Sequence, residues 1–313
     1  HDGLLRCHSM LRRLPTAPVR LAFDAARHEL PGHALCVTTA KKPSKAMVDE
    51  AIAVSIRLGA PYQPRGEGSI QRALHATNAD FGYVVARERC GTAARHELCR
   101  RSDGQRLFVN PRMWQPVTAS GFGNAPLARA LCPPGRRPPI HIVDATAGLG
   151  GTALRMAHTF GCLVTAVEVS APLACLLDFG MKSLAKQPKP WAEAARSISV
   201  VHADADSYLA HLATAQHADG RSSASPAQPC AVFLNPCMDI RRKGSEDVFL
   251  QQLARLTPIS SSCLQSALAA ATRRVVVRLP AGSDPHALLG AQPTDCVAGK
   301  QSNYWIFCTR SAA

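Results

Sequence analysis

The feature that most constrains this chain is the run Ile140-His141-Ile142-Val143-Asp144-Ala145-Thr146-Ala147-Gly148-Leu149-Gly150-Gly151-Thr152. Ile140 to Val143 are mostly apolar and β-prone, as a buried strand requires, and Thr152 to Thr159 carries helix formers. Between them the glycines let the backbone turn tightly against a ligand. Amide N–H groups at such a helix start face a carboxylate or a phosphate, so a nucleotide-like ligand is implied.

The alternation continues beyond that unit. Strands are predicted at 140–144, 163–167, 198–202, 231–234, 274–278 and 304–308, with helices at 151–160, 171–186, 205–215, about 245–256 and 259–271. Such a pattern builds a mostly parallel sheet with helices on both faces, a Rossmann-like α/β fold. Residues 216–229, rich in Ala, Ser, Gln and Pro, read as a solvated insertion.

Upstream lies a smaller α/β unit. It has a strand at Leu35–Thr39 and a helix over 45–58 with Met47, Ala51, Val54 and Leu58 at helical spacing. A second helix follows at 69–75, and strands follow at 83–85 and 107–109. The expected organisation is a basic N-terminal extension over 1–33, an accessory domain over 34–118 and the main domain over 119–313. The link is the glycine-bearing Ser120–Asn124. The extension carries Arg6, Arg12, Arg13, Arg20 and Arg27 among Leu and Ala, which resembles a transit peptide; mitochondrial import is expected, with the cytoplasm as the alternative.

The formal charge of +14 favours a polyanionic partner, because each neutralised phosphate releases counterions. Arg136-Arg137, Arg241-Arg242-Lys243 and Lys41-Lys42 are the candidate grips on an RNA backbone, with ordinary solvated charge as the competing reading of each. No apolar run reaches the roughly 18 residues of a membrane span, so no membrane partner is expected. The 12 cysteines form no C-x-x-C pair and no zinc-ligand spacing, so neither a metal nor a disulfide framework is expected.

In an open α/β sheet, ligands sit at the carboxyl ends of the strands where strand order reverses. Four such ends carry polar groups: Asp144 with its glycine loop, Glu168, Asp204 and Asn235. Glu168, 18 residues beyond Gly150, is placed to accept bonds from two ribose hydroxyls. Asp204 is placed to accept from an adenine amino group, with a helix cap as the competing reading. Gly148 to Ala153 also satisfies G-x-G-x-x-A, which leaves a dinucleotide oxidoreductase open. Asn235-Pro236 at the fourth end separates the two, since amino-group methyl transfer has a use for that pair.

Asp144-Ala-Thr-Ala-Gly-Leu-Gly, Leu176-Leu-Asp-Phe-Gly180, Val201-His-Ala-Asp204, Asn235-Pro236 and Arg274-Val-Val-Val-Arg278 together resemble the bacterial small-subunit rRNA guanine-N2 methyltransferase J family. The resemblance implies a class I S-adenosylmethionine (SAM)-dependent methyltransferase acting on guanine in ribosomal RNA or a pre-ribosomal small subunit. It carries the cofactor contacts onto Asp144, Gly148, Gly150, Gly151, Thr152, Glu168, Val169, Asp204, Ala205 and Asn235, and catalysis onto Asn235, Pro236 and Met238. Departures stand at Gly151-Thr152 for Arg-Asp, Val169 for Arg, Asp204-Ala205 for paired Ser, and Asn235-Pro-Cys-Met238 for an Asp-Pro-Met-Phe type loop. Met238 replaces an aromatic with a polarizable, non-planar group. These departures carry the alternative reading, a catalytically impaired methyltransferase-like protein in ribosome assembly or RNA binding.

Overall fold

The computed structural model describes residues 34–87, 94–109, 125–187, 191–218, 228–236, 249, 252–253 and 259–309. The N-terminal extension, the 118/119 boundary, the 120–124 link and most of the helix expected over 245–256 lie outside them, as do Met238, Arg241, Arg242 and Lys243.

A four-stranded sheet comes first in the chain, in the order β1 (Leu35–Thr39), β2 (Phe81–Arg87), β3 (Ala94–Arg100) and β4 (Arg106–Leu107). β1 pairs with β2 in parallel and the others pair antiparallel. The parallel connection runs through α1 (Lys45–Leu58) and α2 (Ile70–Ala76). Ser44 caps α1 by accepting the Met47 N–H, and Gly59 ends it in the left-handed region. Met47, Ala51 and Val54 are buried as their spacing predicts, while Leu58 is half-buried. β3 is not legible in the sequence: its Arg95, Glu97 and Arg100 disguise a strand whose Glu97 carboxylate is fully buried between Arg95 and Arg106.

The second sheet has seven strands in the order β10 (Asp295–Ala298), β11 (Ser302–Cys308), β9 (Arg274–Pro280), β8 (Ala231–Leu234), β5 (His141–Asp144), β6 (Leu163–Glu168) and β7 (Ile198–His202). β5 to β9 are mutually parallel, and β11 runs antiparallel to both β9 and β10. The chain steps outward from β5 to β7 and then returns to β8 on the other side of β5. Strand order therefore reverses between β5 and β8, which opens a crevice at their carboxyl ends.

Side chains alternate across this sheet. One face packs on α3 (Pro126–Leu131), α4 (Gly151–Phe160), α5 (Ala171–Leu184) and α6 (Trp191–Arg196), around Ile142, Ala166, Phe233 and Val276. The other face packs on α7 (Ala205–Ala218), α8 (Ser261–Ala270) and α9 (Pro285–Leu289), around Val143, Val232 and Val277. Apart from the helix expected over 245–256, which lies mostly outside the described residues, the predicted alternation is found, with α6, α9 and β10 added. α7 runs three residues past its expected end at 215, into the segment read as an insertion.

α5 belongs to two cores. Its Leu177, Met181 and Leu184 face the large sheet. Its Leu173, Cys175 and Leu176 pack with Val37, Phe81, Tyr83 and Leu98 of the small one.

Candidate active site

Asp144 ends β5, Glu168 ends β6 and Asn235 follows β8 directly, so the reversal gathers three of the four expected strand-end groups at one crevice. Backbone bonds splay the chain there. Ala145 N–H donates to Phe233 O on the β8 side at 3.0 Å, and Ala147 N–H donates to Val167 O on the β6 side at 2.9 Å. Thr146, which sequence reasoning passed over, accepts the Asn235 N–H on its Oγ1 at 2.7 Å. That bond ties the Asn-Pro pair to the loop.

Gly148 and Gly150 both take positive φ, 54° and 77°. A Cβ on Gly150 would lie 2.4 Å from Leu177 Cδ1, whereas one on Gly148 would meet nothing within 4 Å. The first glycine is thus bare toward open space and the second is packed against α5. α4 begins at Gly151 with Gly150 as its cap and no side-chain bond to its first amides, which leaves those N–H groups for an anion. Gly151 and Thr152 are half-buried there.

Glu168 is only 6% exposed. Its Oε2 accepts the Gly148 N–H and its Oε1 the Ser170 N–H, both at 2.8 Å. The carboxylate read as a ribose acceptor therefore also braces the glycine loop, with one lone pair remaining on each oxygen. Burial raises its pKa, and the amides of Ser170, Gly148 and Val169 oppose the rise. Asp144 is 1% exposed. Its Oδ1 accepts from Thr146 N–H at 3.4 Å, while its Oδ2 is buried with no hydrogen-bond partner among the described residues. Burial pushes its pKa up to about 7, the Thr146 amide pulls against this, and Glu168 adds to it.

Asp204 is exposed and caps α7, with Oδ1 accepting from both the N–H and the hydroxyl of Ser207 at 3.0 and 3.2 Å. The cap reading describes that oxygen, and the other is left for a ligand. Val169 is half-buried beside it, its carbonyl 3.1 Å from His202 Nε2, and Ala205 opens α7. Arg278, near the end of β9, lies at the level of Asn235, because Val277 pairs with Leu234. It is a second residue that the charge clusters do not single out.

Arg136 and Arg137 are exposed, as expected, but not at this crevice. They precede β5, at the amino edge of the sheet, and Arg273 Nη1 donates to Arg137 O at 3.1 Å. They are close to the glycine loop along the chain, but a strand carries its two ends to opposite edges.

An unpartnered buried carboxylate oxygen, bare helix amides, a glycine open to space and a half-buried Asn-Pro pair fit a ligand with cationic, anionic and adenosyl parts. Residues 108–309 match the family described as "Putative SAM-dependent methyltransferase". The ribosomal RNA small subunit methyltransferase J of Chromohalobacter salexigens is 32% identical over 263 residues, covering 82% of this chain and 93% of that protein. Its namesake from Thioalkalivibrio sulfidiphilus is 30% identical over 208 residues, 64% of this chain and 74% of that one. A crystal structure of a SAM-dependent methyltransferase from Neisseria gonorrhoeae shares the fold, with a TM-score of 0.57 at 18% identity over 88% of this chain and 97% of that one. The chain is a SAM-dependent methyltransferase and belongs to the family of these methyltransferase J proteins.

Proposed function

We propose that this methyltransferase modifies the exocyclic N2 amine of a guanine in small-subunit ribosomal RNA, with Asn235 and Pro236 holding the amine. The relatives' names supply the RNA class. The observation that carries the residue assignment is the 2.7 Å bond from Asn235 N–H to Thr146 Oγ1, which fixes the Asn-Pro pair against the cofactor loop.

The N2 lone pair of guanine is delocalised into the ring and is a poor nucleophile. The Asn235 side-chain oxygen and the Pro236 carbonyl each accept one N2–H bond, which draws the amine towards tetrahedral geometry and localises the lone pair. Asn235 is no base, so the surplus proton leaves to water after the N–C bond forms. Bound SAM supplies the electrophilic methyl group on a sulfonium. The α4 amides receive its carboxylate, Glu168 its ribose hydroxyls, and Asp204 with its neighbours Val169 and Ala205 the adenine edge. Asp144 sets the charge beneath the loop. Rate enhancement here comes from positioning and charge placement.

Asn235→Ala is expected to slow single-turnover methylation by about 100-fold, the scale of losing one preorganised hydrogen bond to a reacting group. The modified base is located by mass spectrometry of rRNA treated with each protein. Methylation at the wild-type rate would remove Asn235 from the mechanism, and product at a position other than guanine N2 would replace the substrate assignment.

A further inference from the structure

The amino edge of the large sheet, opposite the crevice, carries a cationic surface that methyl transfer does not use. Cys132 to Arg137 form a short turn there: Arg136 N–H donates to Pro133 O at 3.1 Å, and Gly135 sits at φ 78°. Prolines at 133, 134, 138 and 139 bracket the turn and fix φ on both sides of Arg136-Arg137. The start of β9 locks onto it. Arg273 Nη1 donates to Arg137 O at 3.1 Å, and Arg274 Nη1 donates to Ala130 O at 3.0 Å. The Arg273 backbone is itself held between neighbours, its N–H on Cys230 O and its carbonyl on Thr309 N–H, each at 3.1 Å.

Four arginines thus stand on neighbouring, hydrogen-bonded backbone at this edge. Arg136, Arg137 and Arg273 are exposed and Arg274 is half-buried. Among the described residues no carboxylate forms an ion pair with any of them. Five arginines elsewhere are matched by carboxylates: Arg57 by Asp178, Arg95 and Arg106 by Glu97, Arg100 by Asp103 and Arg101 by Asp80. An unneutralised arginine cluster on a backbone already ordered is suited to an anion with repeated charge. Planar forks match phosphate oxygens in pairs, and little ordering entropy is lost on binding.

We infer that this edge is a second RNA-binding face, which holds the phosphate backbone of a stretch of RNA other than the one presenting its base to Asn235. The inference rests on the RNA reading above. Arg273 lies five residue steps along β9 from Arg278, the level of Asn235. At strand rise that is roughly 16 Å, too far for the nucleotide in the crevice to be gripped here.

The test is binding of a small-subunit rRNA transcript to the whole chain across a salt series, comparing wild type with Arg136→Glu/Arg137→Glu and, separately, Arg273→Gln. SAM affinity by calorimetry verifies that each variant is folded. The double variant is expected to bind the transcript at least about tenfold more weakly at about 100 mM salt, and the slope of log K against log salt should shrink by about 2, one for each phosphate no longer gripped. Arg273→Gln should shrink it by about 1. Unchanged affinity and slope in both variants, or no salt-dependent binding by the wild type, overturns the second face. Methyl transfer by the wild type is scored separately. Steep, patch-dependent binding without transfer to any rRNA base would sustain this face and remove the substrate reading instead.

Discussion

Asp144 is the residue on which charge at the site turns. A carboxyl ordinarily ionised at neutral pH is held near its titration point, because it is buried, its Oδ2 has no hydrogen-bond partner among the described residues, and Glu168 stands close by. With a folded pKa of about 7 against an unfolded value of 3.8, the folded chain keeps this proton where the unfolded chain has lost it. The native state then loses stability as pH rises from about 4 to about 7, by an amount on the order of 4 kcal/mol, and stays at the lower level above that. Asp144→Asn should remove this slope. Denaturant titrations at pH 5 and pH 8 should show its stability difference between the two pH values smaller than that of wild type, and an identical difference would refute the titration. The same variant should flatten the pH dependence of SAM affinity near neutrality, since a carboxyl that ionises there favours a cationic ligand only in its charged form.

At the level of elements, α5 decides the shape of the glycine loop. Leu177 and Met181 press on Gly150 so closely that a Cβ there would fall 2.4 and 2.8 Å from their side chains. Gly148 has a similar left-handed φ but open surroundings. Both glycines relieve backbone strain, and only one also relieves crowding. Gly148→Ala is expected to cost about 1 kcal/mol of stability and Gly150→Ala about 2 to 4 kcal/mol, as strain and overpacking add. Thermal melts of the two variants check the order, and equal costs would mean that α5 yields freely. Gly180, the one glycine inside α5, answers to crowding alone. Gly180 lies under Val109, whose Cβ would be 2.4 Å from an added methyl, so a glycine inside a helix serves close approach of the segment after β4.

Across the whole molecule, the small sheet is fastened to the methyltransferase sheet through α5. The fastening is partly polar. His96 of β3 stacks on Phe179 of α5 with ring centroids 3.3 Å apart, and its Nδ1 lies 2.8 Å from the Tyr83 hydroxyl. Its Nε2 lies 3.3 Å from Glu50 Oε1, yet burial lowers the imidazole pKa to about 3, so at neutral pH this contact joins a neutral ring to a carboxyl. Arg57 of α1 reaches Asp178 of α5 at 3.1 Å. With Leu173 and Leu176 of α5 in the small-sheet core and Leu177 and Met181 in the other, separating the sheets would expose apolar surface on both. Calorimetry of the full chain is therefore expected to show one cooperative unfolding transition, with equal calorimetric and van't Hoff enthalpies. Two separate transitions would show that the sheets unfold independently.

How much of this is legible in the sequence follows from the range of each signal. Strand–helix alternation, the glycine loop and the polar strand ends are local patterns of period and turn chemistry, so the residues from Ile140 to Thr152, with Glu168 and Asn235, announce an α/β ligand site on their own. β3 is hidden because the partners that let Glu97 be buried are supplied by folding, Arg106 from a different strand. The tertiary structure alone decides that Arg136-Arg137 stand at the edge away from the crevice, that Glu168 braces Gly148, and that α5 serves two cores. Each of these depends on which segments become neighbours. A periodic pattern fixes what a segment is and which side it buries, whereas what it is buried against is set by packing with residues far away in the chain.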